Sequence, residues 1–355
     1  MKNWEKNIRE ITPYVPGEQP DFPDMIKLNT NENPYPPAPG VTRMLKELQA
    51  DRLSLYPNPE AKLLVNELSV QYGIEPERIF VGVGSDDVLG MIFLTCFCSE
   101  KPVLFPDITY SFYDVWAKLF RVPYRTMPLD EEFRIHKEDY YTENGGVIIA
   151  NPNAPTSIGE GLDFIEDILE HNQDSVVVVD EAYVDFGGES ALSLLEKYEN
   201  LLVVQTFSKS RSMAGMRIGF AFGSKRLISA IYAVRNSYNS YTMNYPSIMC
   251  GAEALKDRAY FEECTGRVIA TRERVKKELK ALGFSFPDSK TNFLFATHES
   301  VPAAELFNML REKHIFVRYF KMPRIDNYLR ITIGTDAQMN RLIEVLKEYL
   351  DGCRR

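Results

Sequence analysis

The chain has 355 residues, 45% hydrophobic, 12% aromatic and 26% charged, a composition that excludes disordered, coiled-coil and collagenous chains. One hydrophobic core rarely serves that length, so two domains are expected. The 41 basic and 50 acidic residues leave a formal charge of −9 with no long basic run, which speaks against nucleic acid or a membrane surface as partner.

From the start of the chain, Met1-Lys2-Asn3-Trp4-Glu5-Lys6 has no apolar core behind its charges, so no secretory signal is expected and the cytosol is the expected compartment. The proline-rich piece 33–39 cannot be helical and reads as an extended segment after an N-terminal arm, residues 1–32. Apolar runs at 79–81, 103–105, 147–150, 176–179, 201–205 and 218–222 read as strands separated by helical patterns. Val176 to Val179 are four β-branched residues without alternation, as in strands covered on both faces of a mainly parallel sheet. The run 90–98 is far short of a membrane span, and its Cys96 and Cys98 are expected to be small buried side chains. The five cysteines include no C-x-x-C pair, and the four histidines stand singly, so neither a disulfide framework nor a metal site is expected.

A different pattern opens near residue 255. Phe261, Cys264, Val268, Val275, Leu279 and Leu282 share helical spacing and predict one long helix. Strands at 292–296 and 329–333 follow. A last helix from Asp336 carries Met339, Leu342 and Leu346 as its stripe, with Gly352 as its stop. The division expected is therefore an arm 1–32 that joins the small domain, a large domain 33–254 and a small domain 255–355.

In parallel α/β sheets ligands gather at the carboxyl ends of strands, and three such ends carry polar residues. Run 79–81 leads into Gly82-Val83-Gly84-Ser85-Asp86-Asp87, a glycine turn before a helix that offers backbone N–H groups and a hydroxyl to an anion. Run 176–179 leads into Asp180-Glu181-Ala182-Tyr183, and run 201–205 into Thr206-Phe207-Ser208-Lys209. A lysine held beside other cations loses its proton readily and is a candidate Schiff-base amine. Each feature alone has a plain structural reading as a cap or a solvated charge. Together on one sheet they are far more specific.

These residues resemble the fold-type-I aminotransferases that use pyridoxal 5′-phosphate: Asp180-Glu181-Ala182-Tyr183, then Ser208-Lys209, with Arg217 eight positions beyond the lysine. Ile11-Thr12-Pro13-Tyr14, Leu28-Asn29-Thr30-Asn31-Glu32-Asn33-Pro34, Tyr56-Pro57, Gly84-Ser85-Asp86 and Tyr328-Leu329-Arg330-Ile331-Thr332 resemble the histidinol-phosphate aminotransferase branch. The resemblance implies a large domain with a mainly parallel seven-stranded sheet between helices, and a smaller α+β domain. It also implies roles. Lys209 would form the internal aldimine and shuttle the proton, Asp180 would pair with the pyridine nitrogen, and Tyr183 would bond the ring O3′. Ser85, Asp86, Ser208 and Arg217 would surround the cofactor, Arg217 facing its phosphate, and Tyr110 would stack on the ring. Tyr56 would reach the cofactor of a second subunit, making the protein a homodimer. Tyr14, Arg318 and Arg330 would take the anions of histidinol phosphate and of glutamate or 2-oxoglutarate.

Two departures from the family pattern stand out. Its Asn-Pro-Thr-Gly is here Ala154-Pro155-Thr156-Ser157, so the asparagine that would donate to O3′ is absent, and Asn153, or else Asn151, is expected to replace it. Val83 stands where many relatives have a polar residue. Within the superfamily, an aromatic amino-acid aminotransferase or a threonine-phosphate decarboxylase shares the same implied site. A module that binds the cofactor without turnover is the alternative of another class, and retention of Lys209, Asp180 and Arg217 together argues against it.

Overall fold

The computed structural model describes residues 2–353. Its strands, in chain order, are β1 (Ile26–Leu28), β2 (Ile79–Gly82), β3 (Val103–Pro106), β4 (Tyr124–Met127), β5 (Gly146–Ala150), β6 (Val177–Asp180), β7 (Leu201–Thr206), β8 (Gly219–Phe222), β9 (Phe284–Ser285), β10 (Phe293–His298), β11 (Ile315–Tyr319) and β12 (Leu329–Thr332). A seven-stranded sheet has the order β2-β8-β7-β6-β5-β3-β4, and a five-stranded sheet the order β1-β11-β12-β10-β9. All six apolar runs of the first part of the chain became strands of the larger sheet. Its edge strand β4 escaped the sequence reading because Arg125 and Thr126 are exposed there and break any apolar run.

The larger sheet is covered on both faces. Val177 and Val179 pack with Ile165, Ile168 and Ile149 on one side, while Val178 packs with Ile148, Val204 and Phe93 on the other. Unbroken apolar runs are what such two-sided burial demands. The contacts β3–β4, β3–β5, β5–β6 and β6–β7 are parallel, whereas β8 runs antiparallel to both β7 and β2. That one reversal matters for the site. It places the amino end of β8 beside the carboxyl ends of its neighbours, with Gly219 opposite both Thr206 and Gly82.

The long helix expected from Phe261 to Leu282 is Arg258–Ala281, and a separate helix, Tyr245–Lys256, precedes it. Asp257 separates them, and its carboxylate accepts the Tyr260 N–H at 3.1 Å as an N-cap. Val268, Val275 and Leu279 of helix Arg258–Ala281 pack with Met339, Leu342 and Leu346 of helix Asp336–Cys353 around the smaller sheet. That last helix runs through Gly352 to Cys353, so Gly352 is not its stop. Cys96 is half-buried and Cys98 exposed, contrary to expectation, because the helix Gly84–Cys96 ends there and its apolar face with it. Strand β1 lies parallel to β11, which joins the N-terminal arm to the smaller sheet. Among the described residues no helix is long and apolar enough to cross a membrane.

Candidate active site

The register of the large sheet brings three loops together. Asp180, last in β6, sits beside Ala150 of β5 and Val204 of β7, so the chain leaves all three strands on one edge. The cleft there is lined by Ser85, Asp86, Tyr110, Asp180, Tyr183, Ser208, Lys209 and Arg217, with Ala154, Pro152 and Thr30. Eight of the residues expected at the site thus face one cavity.

One end of the cavity is built for an anion. The helix Gly84–Cys96 starts here, Asp87 takes the Val83 N–H at 2.9 Å, and among the described residues no N-cap side chain bonds the first turn, so its N–H groups are open. Arg217 lies across this turn, its Nη2 bonded to Asp86 Oδ2 at 2.9 Å. Gly84 has a φ of +83°, and a Cβ there would stand 2.4 Å from Arg217 Nη2. At Gly219 a Cβ would stand 2.3 Å from Gly84 C and Ser85 N. Two residues without side chains therefore let a guanidinium, a hydroxyl and a helix terminus converge on one small space.

The other end holds a carboxylate and an amine. Asp180 is buried; it accepts the Tyr113 hydroxyl at 2.8 Å and the Ala182 N–H at 3.2 Å. Burial raises its carboxyl to about 6 against these two bonds. Among the described residues no salt bridge partners it, and a buried carboxylate facing a cavity is matched by a ligand N–H⁺. Lys209 Nζ donates to Thr30 O at 3.2 Å and stands 5.7 Å from the Tyr183 ring centre. Tyr110 donates to Asp86 Oδ1 at 2.7 Å, and burial holds its hydroxyl well above its ordinary range. An amine, a desolvated carboxylate and a cationic cradle form the donor set for a molecule with an aldehyde, a basic ring nitrogen and a phosphate. The residues present fit pyridoxal phosphate on those grounds.

A second compartment opens from the first and shares Thr30, Tyr110, Ala154, Tyr183 and Lys209 with it. Tyr14, Arg318 and Arg330 line it, together with Lys118. Arg318 and Arg330 face each other across β11 and β12. Arg330 donates from Nη2 to Asn29 O at 2.9 Å, its Nε is buried without a partner, and burial lowers its pKa, with the Arg318 charge adding to that. Two guanidiniums side by side, one incompletely bonded, make a seat for an anion. Tyr14 stacks on Phe112 with ring centres 4.2 Å apart.

Two expected residues stand apart from this group. Asn153 does not line the cleft: its amide donates to Ile108 O at 2.9 Å and Thr156 Oγ1 at 3.0 Å, and it accepts from Thr109 at 2.7 Å. Asn151 is likewise engaged with the backbone of Glu160. Alternate residues of the extended turn point to opposite sides, and Pro152 and Ala154 are the ones that face the cavity. Tyr56 is 81% exposed and stacks on Tyr241, away from this chain's own cleft.

The sequence reading missed Tyr113, Thr30, Asn31 and Asn33. Asn31 Nδ2 donates to the Tyr183 hydroxyl at 2.8 Å, and Asn33 Nδ2 donates to the carbonyls of Lys209 and Ser210 at 3.1 and 3.2 Å. The run Asn29 to Asn33 was singled out as a motif, and the side-chain amides in it were the signal. Tyr113 had none beyond being an aromatic at helical spacing.

Fold and site together define an α/β group-transfer enzyme, and the comparisons narrow this. Histidinol-phosphate aminotransferase from Sinorhizobium meliloti, solved with pyridoxal-5′-phosphate, superposes with a TM-score of 0.84 at 24% identity over 92% of this chain and 91% of that one. The enzyme of that name from Clostridium acetobutylicum also gives 0.84, at 22% identity over 92% and 100%. These likenesses establish the shared fold. Residues 23–346 match the family described as aminotransferase class I and II, and the chain belongs to that family. The histidinol-phosphate aminotransferase of Lactococcus lactis subsp. cremoris (strain MG1363) is 51% identical over 348 residues, 98% of each chain. That of Acinetobacter baumannii (strain SDF) is 51% identical over 351 residues, 98% of this chain and 97% of the other.

Proposed function

We propose that the protein transfers the amino group of L-histidinol phosphate to 2-oxoglutarate, giving imidazole acetol phosphate and glutamate, with pyridoxal 5′-phosphate bound at Lys209. The observation that carries this reading is the joined cleft: a cavity with amine, carboxylate and anion cradle opening directly onto a compartment with two arginines. Identity of about half the residues over nearly the whole length to enzymes of that name supports the substrate.

Pyridoxal phosphate, when bound, supplies an electron sink for the bond made labile at the substrate's α-carbon. The chain supplies the rest. Arg217, Ser85, Ser208 and the open N–H groups at Gly84–Cys96 bind the phosphate. Asp180 would keep a proton on the ring nitrogen, and its bond from Tyr113 fixes the carboxylate's orientation. Once the substrate amine had displaced it, the Lys209 amine would take the proton from the substrate α-carbon and return it to the aldehyde-derived carbon of the cofactor. Tyr183 would donate to the cofactor oxygen beside that amine, and Tyr110 lines the same cavity. Arg330 and Arg318, with Tyr14, seat the substrate's phosphate or carboxylate. One cationic seat that accepts either anion suits a reaction whose two amino donors differ in theirs.

The chain's partner in this reading is a second copy of itself. Leu53, Leu55, Tyr56, Tyr238 and Tyr241 are all exposed, an apolar group that a homodimer would cover, and Tyr56 would then enter the other copy's cofactor site. The organisation proposed with it is the arm 1–32, the large domain 33–254 and the small domain 255–355. The test is an absorbance spectrum of the protein loaded with pyridoxal phosphate, before and after L-histidinol phosphate in the absence of a keto acid. The visible band should give way to the shorter-wavelength band of the aminated cofactor. A response to tyrosine or phenylalanine but not to histidinol phosphate would move the substrate, and no visible band would remove the Lys209 assignment.

A further inference from the structure

Asn31 is buried, 1% exposed, and holds a φ of +57°, a left-handed conformation in which asparagine is among the few tolerated residues. Its surroundings fix it from three sides. Its backbone N–H donates to Thr332 Oγ1 at 3.1 Å, the Thr332 hydroxyl donates back to Asn31 Oδ1 at 3.0 Å, and Asn292 Nδ2 donates to Asn31 O at 3.0 Å. The Thr332 hydroxyl thus accepts from the backbone N–H of Asn31 and gives its proton to the side-chain carbonyl Oδ1. That leaves Nδ2 turned to the Tyr183 hydroxyl, 2.8 Å away, the hydroxyl's one hydrogen-bond partner among the described residues.

A phenol has one proton to donate and lone pairs to accept with. With a lone pair taken by Asn31, the Tyr183 proton is left for the cleft that Tyr183 lines. Accepting one bond strengthens the donation of the other. The neighbouring positions offer no second donor, since Ala154 has none and the Asn153 amide is spent on its own loop. We infer that Asn31 is a positioning residue that aims the Tyr183 proton at the cofactor beside Lys209, and that it ties this aim to the strand bearing Arg330 through Thr332.

This inference rests on the function proposed above, and its readout is separate from turnover. A proton donated to the cofactor oxygen beside the Schiff-base nitrogen favours the form of the loaded protein that has lost its imine proton. Weakening that donation raises the pH at which the visible absorbance band changes. The titratable and charged groups facing the hydroxyl are Lys209, Arg330, Tyr110 and Tyr113, with Asp180 and Asp86 behind the two tyrosines. None of them is altered by the substitutions.

Two variants test it, both able to adopt positive φ. Asn31→Asp turns a donor into an acceptor, so Tyr183 would donate to residue 31 instead of to the cleft. Asn31→Gly removes the amide without adding charge. The midpoint of the visible transition should rise by about one pH unit in Asn31→Asp, the worth of one charge-assisted hydrogen bond, and by a smaller amount in Asn31→Gly. In a Tyr183→Phe background the Asn31→Asp step should disappear. A step that persists there, or a shift in Asn31→Asp with none in Asn31→Gly, would trace to added charge and overturn the inference. So would unchanged midpoints in variants that keep a visible band. Absence of the band from the unaltered protein would instead remove the proposed function.

Discussion

The two compartments of the cleft are built by opposite means. The one holding Asp180, Lys209 and Arg217 hangs from the ends of strands that are buried at every position, and its geometry follows from their register. The one holding Arg318 and Arg330 is assembled from β11, β12 and the N-terminal arm, joined by contacts that span 301 residues, Arg330 to Asn29 and Thr332 to Asn31. The first is a property of a rigid sheet. The second exists only where distant segments meet, and in the function proposed it is the part that would set substrate preference.

That contrast can be broken in several ways. The largest effect is expected for Lys209→Ala, which should cut turnover by more than about 10³-fold while folding is retained, read by steady-state rates beside a thermal melt. Arg330→Ala should leave cofactor uptake intact and raise KM for histidinol phosphate about 10- to 100-fold, the worth of one charged contact. Loss of cofactor in that variant would show that the compartments are not separable. Gly219→Ala attacks the sheet instead: its Cβ would meet backbone at Gly84 and Ser85, so a loss of about 1–3 kcal/mol is expected in denaturant unfolding.

The pH dependence sharpens the same contrast. Asp180 binds a protonated ring nitrogen only when ionised, and burial sets its half-ionisation near about 6 in the cofactor-free protein. Cofactor affinity should therefore fall as pH drops below about 6, and Asp180→Asn should flatten that dependence in an absorbance titration. The same buried acid, with Glu181 raised to about 7, makes the cofactor-free protein lose stability as pH rises from the unfolded carboxylate range through these values, since the folded state holds those protons longer. The smallest effect is expected for Tyr56→Phe, about tenfold or less in cofactor retention, and only if the second subunit supplies that hydroxyl.

Legibility in the sequence followed the same division. The apolar runs named six of the seven strands of the large sheet, and the polar residues just beyond them named Asp180, Tyr183, Ser208 and Lys209. The Gly84 turn was legible as a strand end too, whereas Arg217 joins them because β8 is antiparallel, which no run of residues announces. Asn153 was the natural substitute for the absent asparagine by type and neighbourhood, but a shift of one residue turns a side chain to the other side of the turn. Strand β4 was hidden because an edge strand can carry exposed polar residues. Asn31 and Tyr113 could not be placed, since their roles depend on partners brought close only by folding.

The pairing of Ile26 with Ile315 bears on how the molecule comes to exist during synthesis. The large sheet is complete by residue 222, so its strands can pair before the last third of the chain has been synthesised. Strand β1 then waits with an unsatisfied edge until β11 emerges, and Asn31 waits longer still for Thr332. A nascent chain should thus pass through a stage with a folded cofactor cradle and no substrate seat, and the amino-terminal arm is the segment a chaperone would have reason to cover in that interval.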